Sequence, residues 1–125
     1  MVLSTFKDWH CGQVTALIVV RIIMNVLPEK QKEVMQTLLS MIEPTKRENG
    51  CLTYEVFCDI QDKNVFSLIE GWENREDLEH HLRSDRFGVL LGTKSLLNEP
   101  MKFQIHTISH SEGMEAIKAA RDKRT

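Results

Sequence analysis

The chain has 125 residues, is 42% hydrophobic, and sets 16 basic side chains against 18 acidic ones for a net charge of −2. That length supports one domain with a genuine core, burying about two thirds of the unfolded surface. A near-neutral chain without a basic face argues against nucleic acid, and the apolar run Ala16 to Met24, interrupted by Arg21, is too short to span a bilayer.

Residues 1–13 read as an N-terminal extension. Lys7, Asp8 and His10 stand where a signal peptide needs an apolar stretch, so no export signal is expected and the cytoplasm is the expected location. Phe6 and Trp9 are the extension's candidates for docking elsewhere. Residues 14–109 make the domain. Val14 to Val26 is β-branched and predicts a strand, with Leu17, Val19, Arg21 and Ile23 on one face and Ile18, Val20, Ile22 and Met24 on the other. Both faces are apolar, so both are expected to be buried, one under helices and one against a second copy of the chain.

Pro28 suits the first turn of a helix, with Glu29 and Glu33 near its positive end. Val34, Met35, Leu38, Leu39, Met41 and Ile42 recur at helical spacing, and Pro44 is expected to end or kink the helix. Asn49-Gly50 supplies a helix exit that tolerates positive φ. Two β-branched and aromatic runs, Cys51 to Cys58 and Val65 to Trp72, flank the polar loop Asp59 to Asn64 and predict a hairpin. Asn74 with Asp77 predicts the cap of a helix over 75–82, and Ser84 that of a second over about 86–97. Met101 to Ile108 is a last strand, and residues 110–125 are a charged tail with a weak helical stripe of Met114, Ile117 and Ala120. The order β-α-β-β-α-β is the ferredoxin-like arrangement of the α+β class.

Alternation puts Phe66, Leu68, Glu70 and Trp72 on one side of the second hairpin strand. A carboxylate and an indole on an otherwise apolar face are the first candidates for chemistry, with pairing to Arg21 the structural alternative for Glu70. A buried indole N–H and the Tyr54 hydroxyl both need hydrogen-bonding partners. Of the adjacent histidines, His81 follows the apolar side marked by Leu78 and Leu82, while His80 points to solvent. His106 could serve either face of the sheet. Cys51 and Cys58, two of three cysteines, lie about 23 Å apart along one strand and on opposite faces by parity, so they read as reduced thiols. No metal-ligand spacing, Ser-His-Asp ordering or phosphate loop is present, and no metal site is expected.

The strings Glu43-Pro44-Thr45-Lys46-Arg47-Glu48-Asn49-Gly50-Cys51-Leu52-Thr53-Tyr54-Glu55, Phe66-Ser67-Leu68-Ile69-Glu70-Gly71-Trp72, and Leu78 with His81, Ser84 and Phe87 resemble the antibiotic biosynthesis monooxygenase domain family over about Leu17 to Ile108. Asn49 departs from a common proline, and Arg86 from a common histidine. The resemblance implies a dimeric α/β barrel of two ferredoxin-like subunits, each with a pocket between sheet and helices. It also implies a monooxygenase that needs no cofactor, acting on a quinol or polycyclic phenol with O2. Glu70 and His81 would be the catalytic residues, and Trp72, Tyr54, Arg21 and Phe87 the substrate-binding ones. The heme-degrading branch is similar in fold, but Val20 and Leu91 stand where it carries its asparagine and its ligating histidine, which disfavours heme. The alternatives from other classes are an isomerase or degradative enzyme for a small signalling metabolite, and a non-catalytic ligand-binding dimer.

Overall fold

The computed structural model describes residues 17–124. Phe6, Trp9, Cys11 and the beginning of the first predicted strand lie outside that range. Strand β1 spans Leu17–Asn25, and a 3-10 turn, Pro28–Lys30, leads into helix α1, Gln31–Lys46. The hairpin is β2, Cys51–Cys58, and β3, Val65–Trp72. Two short helices follow, α2 (Arg75–Leu82) and α3 (Asp85–Gly92), then a 3-10 turn at Thr93–Leu96, β4 (Lys102–Ile108) and α4 (Met114–Asp122). The strands form one antiparallel sheet in the order β2-β3-β1-β4, which is the ferredoxin-like topology. No helix among the described residues is long and apolar enough to cross a membrane.

Local chemistry sets the element ends. Gly50 has φ +80°, and a Cβ there would meet the Asp77 side chain, with Cβ and Cγ at 2.6 Å. The Asp77 N–H donates to Asn74 Oδ1 (2.8 Å) and the Phe87 N–H to Ser84 Oγ (3.1 Å), so both predicted caps are present. In the hairpin loop the Gln61 and Asp62 amides donate to Asp59 Oδ2, each at 2.9 Å. Pro44 does not stop α1 at once: Thr45 and Lys46 follow it before the helix ends, and the Arg47 N–H returns to Pro44 O at 3.3 Å. A proline this near the C-terminus disturbs a single turn.

One face of the sheet carries the core. Ile18, Val20, Ile22 and Met24 of β1 and Phe66, Leu68 and Trp72 of β3 pack with Val34, Leu38 and Met41 of α1, and with Leu78, Phe87 and Leu90 of α2 and α3. Each such side chain contributes about 1.5–3 kcal/mol on burial. On the other face Val19 and Ile23 are only half-buried and Arg21 is exposed, so the two-sided burial expected of β1 is not met within one chain. The cysteine parity also fails. A bulge between Cys51 and Thr53 sets Cys51 opposite Trp72 and Cys58 opposite Phe66, so both thiols lie on the helix-covered face.

Candidate active site

Glu70 sits in the middle of the sheet, level with Val20 of β1 and Tyr54 of β2, and is 0% exposed. Trp72 is two residues along the same face, so its indole Nε1–H donates to Glu70 Oε1 at 3.0 Å. His81 comes from α2 and is held over this pair. Its ring centroid is 4.7 Å from that of Trp72, tilted by 30°, and Phe87 of α3 meets its edge at 5.4 Å. His81 Nε2 stands 3.7 Å from Glu70 Oε1, an ion-pair distance that is too long for a hydrogen bond.

The other ring nitrogen is engaged by Glu48, which leaves the end of α1. His81 Nδ1 is 2.9 Å from Glu48 Oε1 and 3.1 Å from Oε2. Arg86, on the first turn of α3, donates through a guanidinium nitrogen to Glu48 Oε2 at 2.6 Å. The result is a continuous polar line, Arg86–Glu48–His81–Glu70–Trp72, running from a half-exposed cation to a fully buried carboxylate. Among the described residues, Glu70 Oε2 and His81 Nε2 are buried and without hydrogen-bond partners.

Electrostatics follow from that line. Burial opposes charge on His81, but the Glu70 and Glu48 carboxylates outweigh it and raise the imidazole above its usual range. Burial, reinforced by Glu70, pushes the Tyr54 phenol up, and burial with Glu70 and Glu48 takes the Cys51 thiol to about 12. Both therefore stay protonated. A pair of unit charges about 4 Å apart gains roughly 4 kcal/mol at an effective dielectric near 20. Desolvation offsets most of that gain, and an apolar pair of similar volume would often be as stable or more so. The cluster is thus poorly explained by stability alone.

Of the residues the sequence singled out, Glu70, Trp72, His81 and Phe87 come together, and Tyr54 adjoins them on β2. Arg21 does not. It lies level with Ile69 on the opposite face and donates to Gln104 Oε1 at 3.2 Å, so it neither pairs with Glu70 nor lines the site. His106 is level with Val19 and belongs to that face too. Glu48 and Arg86 were not among the predicted site residues. Glu48 lies two residues before Gly50 in the string that carries the family resemblance, and Arg86 is marked only as a departure from a common histidine. Among the described residues no three His, Cys, Asp or Glu side chains gather as metal ligands. A cleft of about 170 Å³ lined by Ile23, Asn25, Val65, Glu99, Pro100 and Lys102 lies at the other end of β1 from Trp72.

The family model described as "Antibiotic biosynthesis monooxygenase" matches residues 17–90, a span that includes Glu48, Glu70, Trp72, His81, Arg86 and Phe87. The chain belongs to the antibiotic biosynthesis monooxygenase family. An uncharacterized Synechocystis relative is 30% identical over 90 residues, which cover 71% of this chain and 61% of that protein. The chain thus spans less than two thirds of that relative's length. The Bacillus subtilis protein named "Putative monooxygenase YcnE" is 27% identical over 86 residues, covering 68% of this chain and 90% of its own. The crystal structure of a conserved Methanosarcina mazei protein matches with a TM-score of 0.69 and 29% identity, over 74% of this chain and 93% of that one. The ferredoxin-like fold of this antibiotic biosynthesis monooxygenase domain is therefore common to its solved relatives.

Proposed function

We propose that this member of the family is a cofactor-independent monooxygenase that oxidises a quinol or polycyclic phenol with O2, and that it works as a homodimer. One observation carries the reading. Glu70 is fully buried, has one oxygen held by the Trp72 indole, keeps the other free of hydrogen bonds, and faces the His81 ring at 3.7 Å. A carboxylate with one oxygen free of hydrogen bonds, set beside an imidazole, is placed to receive a proton.

In this reading Glu70 Oε2 accepts the phenolic proton. The phenolate left behind is electron-rich enough to pass one electron to triplet O2, and the two radicals combine to form a C–O bond. One oxygen atom stays on the ring and the other leaves as water. For a hydroquinone the products are a hydroxyquinone and water, all four electrons that reduce O2 coming from the organic molecule. The charged His81 ring balances the developing anion in a dry setting, where such stabilisation is strongest. Trp72 and Phe87 supply aromatic wall, and Tyr54, kept protonated, is a donor at the sheet side. The half-buried Val19, Ile23 and Ile69 of the open face would meet a second copy.

Oxygen uptake on a panel of hydroquinones and polycyclic phenols, in metal-stripped and flavin-free buffer with isotopically labelled O2, tests the reaction. One labelled atom per product molecule and one in water is the expected result. No uptake across the panel, or uptake that needs added flavin or metal, contradicts it. Light scattering tests the assembly: a dimer at micromolar concentration is expected, and a folded monomer contradicts it.

A further inference from the structure

We infer that Glu48 is the positioning residue of this site: clamped by Arg86, its carboxylate fixes the Nδ1 proton of His81 and so aims Nε2 at Glu70. The inference rests on the reading that Glu70 and His81 manage the substrate's proton. It adds a residue that touches neither substrate nor oxygen.

Three segments converge to make the clamp, and each is pinned by its backbone. The Glu48 N–H donates to Thr45 O at 3.0 Å and Glu48 O accepts from the Cys51 N–H at 3.1 Å, while the Glu73 N–H donates to Gly50 O at 2.8 Å. The carbonyl of His81 accepts from both the amide (3.0 Å) and the hydroxyl (2.7 Å) of Ser84. Between these fixed points the side chains have little slack. His81 is 3% and Glu48 16% exposed at the side chain, and Arg86, at 36%, is the end that solvent reaches.

The chemistry then leaves one assignment. A carboxylate only accepts hydrogen bonds, so the nitrogen facing both Glu48 oxygens, Nδ1, carries a proton whether the ring is neutral or charged. Nε2 is therefore the nitrogen whose proton comes and goes, and it points at Glu70. The groups facing the ring from the elements around it are Glu48 at the α1 exit, Glu70 of β3, and Arg86 of α3 behind Glu48. Cys51 and Tyr54 of β2 feel the same carboxylates. Removing the Glu48 charge takes away one of the two attractions that outweigh burial of the imidazole. Arg86 balances Glu48 and anchors it, so the guanidinium does by contact what packing does for an apolar side chain.

The test is a histidine-ring nitrogen NMR titration on the whole protein, run beside the pH profile of oxygen uptake, for wild type, Glu48→Gln, Glu48→Asp and Arg86→Gln. Wild type should keep its His81 proton on Nδ1 in the neutral form. Glu48→Gln should lower the His81 midpoint by about one unit or more, mix the two tautomers, and move the alkaline fall in uptake to lower pH by the same shift. Glu48→Asp should recover part of that shift. Arg86→Gln, at a half-exposed position outside the core, should speed exchange of the Nδ1 proton. A midpoint, tautomer and exchange rate unchanged in both Glu48→Gln and Arg86→Gln would overturn the assignment. The two readings fail separately. Ring shifts as expected with no uptake in wild type contradict the monooxygenase and keep the clamp, whereas uptake with an unmoved ring does the reverse.

Discussion

The two sides of β3 contrast sharply in burial. Phe66, Leu68, Glu70 and Trp72 face the helices and are all buried, while Val65, Ser67 and Ile69, their alternating neighbours, are half-exposed. The acidic and basic side chains on the covered side are Glu70, His81 and Glu48, and they are grouped together, His81 lying between the two carboxylates. The open side is mixed throughout, with Arg21, Gln104 and His106 at the surface among Val19, Ile23 and Ile69. In the single chain an ionisable group on the open side costs little, because water reaches it. On the covered side each one must be offset by partners, which is why a connected set there points to function and scattered charges opposite do not.

Substitutions on adjacent residues should expose that contrast. Leu68→Ala on the covered side is expected to cost about 2–5 kcal/mol, and Ile69→Ala distinctly less in the single chain. Chemical denaturation of both variants checks this, and equal losses would mean that the open side is as well packed as the core. Replacing the Asn74 cap with alanine is a smaller perturbation, expected to cost about 1 kcal/mol, and readable in the same experiment.

The pH dependence of stability sharpens the same comparison. The folded protein holds the His81 proton more tightly than the ordinary value of 6.5. Its contribution is therefore fully present below that value and is lost as pH rises through the raised folded one. Thermal melts from about pH 6 upward should show the melting temperature falling in wild type. His81→Gln should flatten that component. Arg21 lies on the open side, on the face away from Glu70 and His81, and Arg21→Gln should leave turnover per folded protein unaltered.

How much of this was legible in the sequence follows from the range of each rule. Alternation along a strand is local, and it placed Glu70 beside Trp72 without any knowledge of the fold. Helical spacing from Leu78 placed His81 inward for the same reason. Asn74 and Ser84 announced their helices because a cap bonds within three residues. Other features depend on register or on distant contacts. Arg21 and Glu70 lie on neighbouring strands, and only the pairing of Val20 with Glu70 shows that Arg21 takes the other face. The bulge at Cys51–Thr53 reverses a parity argument that was sound for a regular strand. The Glu48 contacts to His81 and Arg86 join residues 33 and 38 positions apart, across the packing of three helices, and no local pattern reports them.

The account turns on Glu70 as the base, and the isosteric Glu70→Gln variant tests that most directly. Its side chain can still accept the Trp72 N–H, so the fold should survive, which a thermal melt verifies. The measurement is oxygen uptake per folded protein on the best phenolic substrate. The account predicts a fall of about 10²–10⁴-fold with the substrate still bound. Turnover equal to wild type in a fully folded Glu70→Gln protein would contradict it.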